Sequence, residues 1–451
     1  MIKYSRLLWL TGLTFVLASS NSMAAAIPVE IEHVDGHFTL YRGGEPYFIK
    51  GAGAKSYLSR LAARGGNSVR TWGAGNAEKI LNQAHKLGLT VTLGLWVGHE
   101  SHGFDYNDAD AVDRQLDKFR KIVLQYKDHP ALLMWGVGNE VNLNYRNPKV
   151  WDAVEEIAAM IHEVDQNHPT MTVLAGLPHR DVSLVAEKCP NIDILGVNVY
   201  AALETLPQVL RQSVWDGPYV ITEWANNGYW EVGKTPWGAA FEPTSNQKAK
   251  SYLDRYERVI AADTERSFGS YVFYWGNAHE LTRTWFGLFI ESGEETSAVD
   301  VMEYAWTGSW PENRAPDIVA FTLDGTNGKK PNAYLTPSAS YRARVSLDDS
   351  DEDSLQLKWE VRPEVPRNRA KRVTQPIKLK GAVEAVIEGS EGTFYFDAPD
   401  QVGAYRLYVY AFDGHNHTAT ANVPFLVRDT IKLTKKLLPR IKPGMDKASA
   451  L

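Results

Sequence analysis

Short unbroken apolar runs alternate with longer stretches of helical period along most of this chain. The run before Gly138, Leu132-Leu133-Met134-Trp135-Gly136-Val137, lacks the apolar–polar alternation of a half-exposed strand. It predicts a strand buried on both faces, as in a parallel sheet. Residues 28–50 do alternate, with Asp35-Gly36 and Gly43-Gly44 as turn signals, and predict a β hairpin feeding a first buried strand through Gly51-Ala52-Gly53. Further strands are expected over Asn67–Trp72, Leu89–Trp96, Met171–Gly176, Asp193–Tyr200, Tyr219–Glu223 and Gly269–Trp275. Between them fall helical patterns. Lys55–Ala63 comes first, and Asn76 opens a helix to Lys86 with Gly88 as its stop. A helix starting at Asp108 or Asp110 runs to Lys127 with Val112, Leu116, Phe119, Val123 and Tyr126 on one face. Pro148 opens one to Val164, and Val182–Lys188, Leu203–Arg211, Gln247–Ala262 and Ala298–Trp306 follow.

Eight strand–helix units fit an α/β fold of the (β/α)8 TIM barrel type over residues 28–310. The competing doubly wound sheet is weakened by the lack of a Gly-x-Gly-x-x-Gly run after the first strand. Beyond Pro316 the helical period vanishes, and short alternating runs take over through Val427. Residues 316–429 therefore read as a smaller all-β, immunoglobulin-like antiparallel sandwich, expected to pack on the barrel and contribute nothing to its chemistry. Asp348–Asp353 forms an acidic loop there, read as a solvated loop before a calcium site. The basic tail, 430–451, is expected to be poorly ordered.

Composition narrows the function classes. A net charge of −6 offers no basic face for nucleic acid or anionic membrane. The lone Cys189 allows no intrachain disulfide and no cysteine-based metal cluster. Twelve of the 14 tryptophans lie between Trp72 and Trp310, and tryptophan both fills cores and stacks on sugar faces. At the N-terminus, Lys3 and Arg6 precede the apolar run Leu7–Ala18 and the small-x-small pattern Ser22-Met23-Ala24. That run is shorter than the roughly 20 residues a spanning helix needs. Residues 1–24 thus read as a cleaved secretory signal, predicting a secreted or periplasmic protein with no membrane insertion after its removal.

Two strands end on a glutamate: the fourth runs into Gly138-Asn139-Glu140, and the seventh into Ile221-Thr222-Glu223-Trp224. Carboxylates at the C-terminal ends of barrel strands sit where such folds place their chemistry. On opposite sides of one mouth, two can face each other at the roughly 5–5.5 Å of a retaining glycosidase. Either glutamate alone could as well be a strand cap or an arginine partner; the matched placement of both favours catalysis. His99 and His102 flank Glu100 at the wrong spacing for a His-Glu-x-x-His zinc helix, so they are placed in the cleft or on its rim.

Trp135–Glu140 and Ile221–Trp224 resemble the acid/base and nucleophile motifs of the clan A retaining glycoside hydrolases, nearest to the glycoside hydrolase family 2 TIM-barrel domain. Gly138–Val141 also resembles fungal β-1,3-glucanosyltransferases. The resemblance covers about Gly36 to Gly308. It implies Glu140 as acid/base and Glu223 as nucleophile, with no metal or organic cofactor. It further implies Arg70 beside the nucleophile, Asn139 at the sugar 2-hydroxyl, Tyr200 hydrogen-bonded to the nucleophile, and Trp275 as sugar floor. Trp96, His99 and Trp224 complete the expected cleft. Family 2 usually carries β domains before its barrel, where this sequence offers a short hairpin; a pocket built by such domains is not expected. The expected partner is a carbohydrate, and the oligomeric state is open. The expected function is an exported retaining β-glycosidase acting on a β-linked, glucan-like poly- or oligosaccharide. A transglycosylase using the same glutamates is one alternative, and a non-catalytic carbohydrate-binding protein is another.

Overall fold

The computed structural model describes residues 25–324, 332–378, 384–387 and 390–429. The expected signal, 1–24, and the expected basic tail, 430–451, lie outside the described residues. Eight parallel strands close into a barrel: β1 (Ile49–Ala54), β2 (Ser68–Arg70), β3 (Thr90–Leu95), β4 (Leu132–Val137), β5 (Thr170–Ala175), β6 (Ile194–Asn198), β7 (Tyr219–Trp224) and β8 (Ser267–Trp275). β8 pairs with β1 to complete the ring. β3, β4 and β7 are buried along their whole length, as their unbroken apolar runs require.

The helices α1 (Leu58–Ala63), α2 (Ala77–Lys86), α3 (Ala109–Tyr126), α4 (Lys149–Val164), α5 (His179–Lys188), α6 (Leu206–Arg211), α7 (Ser245–Arg255) and α8 (Ser297–Thr307) follow the strands in order. Their starts follow local chemistry. Asp108 accepts the Ala111 N–H at 3.0 Å ahead of α3, and Thr244 with Gln247 forms a capping box on α7. The run expected as one helix to Ala262 leaves α-helical geometry after Arg255 and continues as a π turn to Ile260.

The N-terminal hairpin pairs Val29–Val34 with His37–Arg42. Asp35 and Gly36 both have positive φ, 52° and 82°, as the tightest hairpin turns demand. Val29 and Leu40 pack with Ile49, Leu133, Met171 and Val220, so the hairpin plugs the N-terminal end of the barrel. The open end is the opposite one, where β4 and β7 deliver their glutamates.

The C-terminal unit has its own core around Trp359, Phe394, Phe396 and Phe425. Its strands are β9 (Asp317–Leu323), β10 (Ala333–Leu335), β11 (Ser340–Asp348), β12 (Leu355–Pro363), β13 (Glu384–Ile387), β14 (Glu391–Asp397), β15 (Gly403–Phe412) and β16 (Thr418–Val427). They form a three-stranded sheet, β9-β11-β14, and a five-stranded one, β10-β16-β15-β12-β13. The pairing is antiparallel except that β10 runs parallel to β16. The acidic loop is internally tied: Asp349 accepts the N–H groups of Asp351 and Asp353, and Asn313 donates to Asp353 at 2.9 Å.

The two units share buried polar contacts. Arg406 of β15 donates to the Ala240 carbonyl at 2.8 Å and is paired with Glu364 at 2.7 Å. Asn422 of β16 donates to Glu242, whose other oxygen pairs with Lys248 of α7. Nearby, His417 lies between Asp413 of its own unit and Glu295 and Asp300 of the barrel. Burial opposes its charge, but hydrogen bonds with Asp413 and Glu295 and the field of Asp300 outweigh burial and raise its pKa to about 9.

The β12–β13 connection also reaches the barrel. Ala370 is buried in the barrel's hydrophobic cluster and accepts the Leu281 N–H at 2.8 Å. The Arg372 carbonyl meets the His279 ring at 2.7 Å. The sandwich is therefore not confined to the back of the barrel, because one of its connections holds the loop after β8.

Candidate active site

At the end of β4 the backbone leaves the strand through two left-handed residues. Gly138 has φ 80° and Glu140 has φ 53°, a conformation a residue with a Cβ adopts rarely and at a cost. The Gly138 N–H bonds Leu95 of β3 and the Glu140 N–H bonds Val173 of β5. This crossing turns the Glu140 side chain into the mouth, where it lines a cavity of about 530 Å³ with Glu223, Asn198, Tyr200, Trp230, Phe273 and Glu280.

Glu223 is 6% exposed, and both of its carboxylate oxygens are held. Oε1 accepts from Arg70 at 2.9 Å and from the Trp72 indole at 2.6 Å; Oε2 accepts the Tyr200 hydroxyl at 3.0 Å. Arg70 ends β2 and Trp72 follows two residues later, a spacing that keeps both on the same side as the chain leaves the strand. A second chain of bonds joins the two glutamates. Arg70 donates to Asn139 Oδ1 at 2.5 Å, Asn198 donates to the same oxygen at 3.2 Å, and Asn198 also donates to Glu140 at 2.9 Å. Thr222 donates to Asn198 Oδ1 at 2.8 Å, which leaves the amide nitrogen free to face Glu140.

The electrostatics of the two acids differ. Burial, then the charge of Glu223, pushes Glu140 up to about 7, against the opposing bond from Asn198. Glu223 instead faces the Arg70 guanidinium directly. Glu280 is raised by burial, opposed by Lys371. Burial, followed by the charge of Glu223, holds the Tyr200 hydroxyl well above its ordinary range, so it stays a donor.

Of the residues expected at the cleft, Glu140, Glu223, Arg70, Asn139 and Tyr200 converge within this one hydrogen-bonded set. Trp96 and His99 stack on each other with centroids 5.1 Å apart; they follow β3 and lie outside the cavity lining. Burial lowers the His99 pKa.

Two expectations are corrected. Trp224 is fully buried behind the barrel against Tyr252 and Tyr256, because its neighbour Glu223 takes the inward side and alternation sends Trp224 outward. Trp275 is also fully buried, packed on Phe289 and Trp306 and donating to the Tyr57 carbonyl. A register irregularity between Val272 and Trp275 breaks the alternation there, and Phe273 takes the cleft position instead. Sequence reasoning also missed Trp72, Asn198, Glu231 and Glu280. The two-residue step from Arg70 was a usable signal for Trp72. Nothing local marks Glu280, which lies in an irregular loop.

The family model "Glycosyl hydrolases family 2, TIM barrel domain" matches residues 57–293. Among solved structures, Faecalibacterium prausnitzii β-glucuronidase is 18% identical at a TM-score of 0.49, covering 62% of this chain and 52% of its own. Ruminococcus gnavus β-glucuronidase is 16% identical at 0.48, with 63% and 53% covered. Bifidobacterium dentium β-glucuronidase complexed with coumarin-3-O-glucuronide is 16% identical at 0.49, with 62% and 49% covered. The chain thus spans about half the length of these solved structures. The family match takes in more than half of the chain, from α1 to the loop ahead of α8, and both glutamates with it: this protein belongs to glycosyl hydrolase family 2, through its TIM barrel domain.

Proposed function

We propose that this protein is an exported retaining β-glycosidase that cleaves a β-linked, glucan-like poly- or oligosaccharide by double displacement. The observation that carries the reading is the hydrogen-bonded chain Glu223–Arg70–Asn139–Asn198–Glu140, which ties two carboxyl groups together at one barrel mouth. Glu223, beside a cation and fixed by three donors, attacks the anomeric carbon and forms a glycosyl ester. Glu140, protonated up to about pH 7, gives its proton to the departing oxygen. The resulting carboxylate then takes a proton from water, which attacks the ester and releases Glu223. The resemblance to clan A gives Asn139, held by Arg70 and Asn198, the sugar 2-hydroxyl as its partner, and Phe273 and Trp230, which line the cavity, offer apolar faces to the ring. Substitution of water by a sugar hydroxyl in the second step would make the same site a transglycosylase. Export rests on the basic, apolar and small-residue pattern of residues 1–24. Among the described residues no helix is long and apolar enough to cross a membrane.

The test is covalent trapping. An activated 2-deoxy-2-fluoro-β-glycoside should leave a glycosyl ester on the peptide carrying Glu223, located by mass spectrometry. A panel of such reagents that labels nothing, or labels another residue, overturns the reading.

A further inference from the structure

Glu280 lines the cleft with the two proposed catalytic acids, yet the proposed reaction does not use it. It follows β8 in a loop held by the sandwich through the Leu281–Ala370 hydrogen bond. Four carboxylates line the cavity: Glu140, Glu223, Glu231 and Glu280. Three have protein donors. Glu140 accepts from Asn198, Glu223 accepts from Arg70, Trp72 and Tyr200, and Glu231 accepts the Gly228 and Ala201 N–H groups. Glu280 is half-buried, and among the described residues its side chain accepts no hydrogen bond. A carboxylate partly removed from water with no donor of its own is poised for one from a ligand.

The cations near the site lie outside the cavity lining. None of the residues lining the cavity is Lys, Arg or His. Arg70 is 2% exposed, and its donors go to Glu223, Asn139 and the Thr222 carbonyl. Lys371 acts on Glu280 from the sandwich side and is exposed outside the lining. A sugar bearing a carboxylate would therefore enter a cleft lined by carboxylates and by no cation, and like charges repel most strongly where water is scarce.

Resting on the glycosidase reading above, we infer that Glu280 binds substrate by accepting a hydrogen bond from a sugar hydroxyl or ammonium group, so that the cleft takes uncharged or amine-bearing glycosides and rejects uronides. The experiment uses aryl β-glycosides with one common leaving group: glucoside, galactoside, mannoside, glucosaminide and glucuronide. At least one of the first four should be hydrolysed, with a kcat/KM about 100-fold or more above that of the glucuronide. Glu280→Gln, which keeps shape and removes charge, should raise KM for the preferred glycoside and narrow the gap to the glucuronide by about tenfold. Its melting temperature should not fall, because no protein hydrogen bond is lost and a carboxylate that burial disfavours is removed. A greater loss on the glucosaminide than on the neutral sugars would assign the donor as an ammonium; equal losses would assign a hydroxyl.

Hydrolysis of the glucuronide as fast as the others overturns the inference, as does a Glu280→Gln enzyme within about twofold of wild type on every substrate. Either result, with Glu223 still trapped by a fluoroglycoside, leaves the glycosidase reading standing. No turnover of any glycoside, together with no trapping, removes both.

Discussion

Asn198 donates its side-chain amide to Glu140 across 2.9 Å, joining the end of β6 to the turn after β4. That bond favours the ionised carboxylate, against the burial and the Glu223 charge that favour the acid. The rate should therefore fall as pH rises through about 7, where Glu140 loses its proton. In Asn198→Ala the opposing bond is gone, so the basic limb of the pH–rate profile should move upward, by roughly half a unit to one unit. A limb that stays in place or moves down contradicts this account of Glu140.

The two glutamates should separate in kinetics. Glu223→Ala should lose turnover by a factor on the order of 10⁴ or more, with azide restoring part of it through an inverted product. Glu140→Ala should retain turnover of glycosides with good leaving groups, fail on natural glycosides and lose the basic limb. Equal, near wild-type rates for both variants on an activated aryl glycoside would remove the assignment.

Trp72 makes a prediction the sequence reading did not contain. Trp72→Phe keeps the ring but removes the donor to Glu223 Oε1. The expected result is a fall in kcat of about 10- to 100-fold with little change in KM, because an orienting bond to the carboxylate proposed to attack is lost. An unchanged kcat would show that Arg70 and Tyr200 orient Glu223 without it.

Stability should also respond to pH through Glu140. Its folded pKa lies above the ordinary 4.5 of a glutamate, so its contribution is fully present below that value and is lost as pH rises through about 7. Glu140→Gln cannot ionise and should gain stability relative to wild type at pH 8 but not at pH 4, by on the order of 2 kcal/mol. Denaturant melts of both proteins at the two pH values measure it.

His417 carries a second pH dependence, at the contact between barrel and sandwich. Its folded pKa is raised to about 9 from the ordinary 6.5 of a histidine, so its stabilisation is fully present below the lower value and fades as pH climbs through the higher one. His417→Gln should melt lower than wild type at pH 6 and lose most of that difference by pH 10. A constant difference across the range would assign the effect to packing instead of charge.

The succession of barrel strands and helices was legible in the sequence because each follows from local rules: unbroken apolar runs, helical period, and caps such as Asp108 and Thr244. The pairing of Glu140 with Glu223 was legible too, because strand order in a parallel barrel repeats sequence order. Tertiary structure alone decided which aromatics face the cleft. Trp275 reads like Phe273 by alternation until an irregularity after Val272 reverses its side, and register is a property of the pair of strands. It also decided that Asn198 links the two acids and that a connection in the sandwich, at Ala370, fixes the loop of Glu280. Those contacts join residues far apart in the chain, so no local pattern encodes them; they exist only once the barrel has closed and the second unit has packed against it.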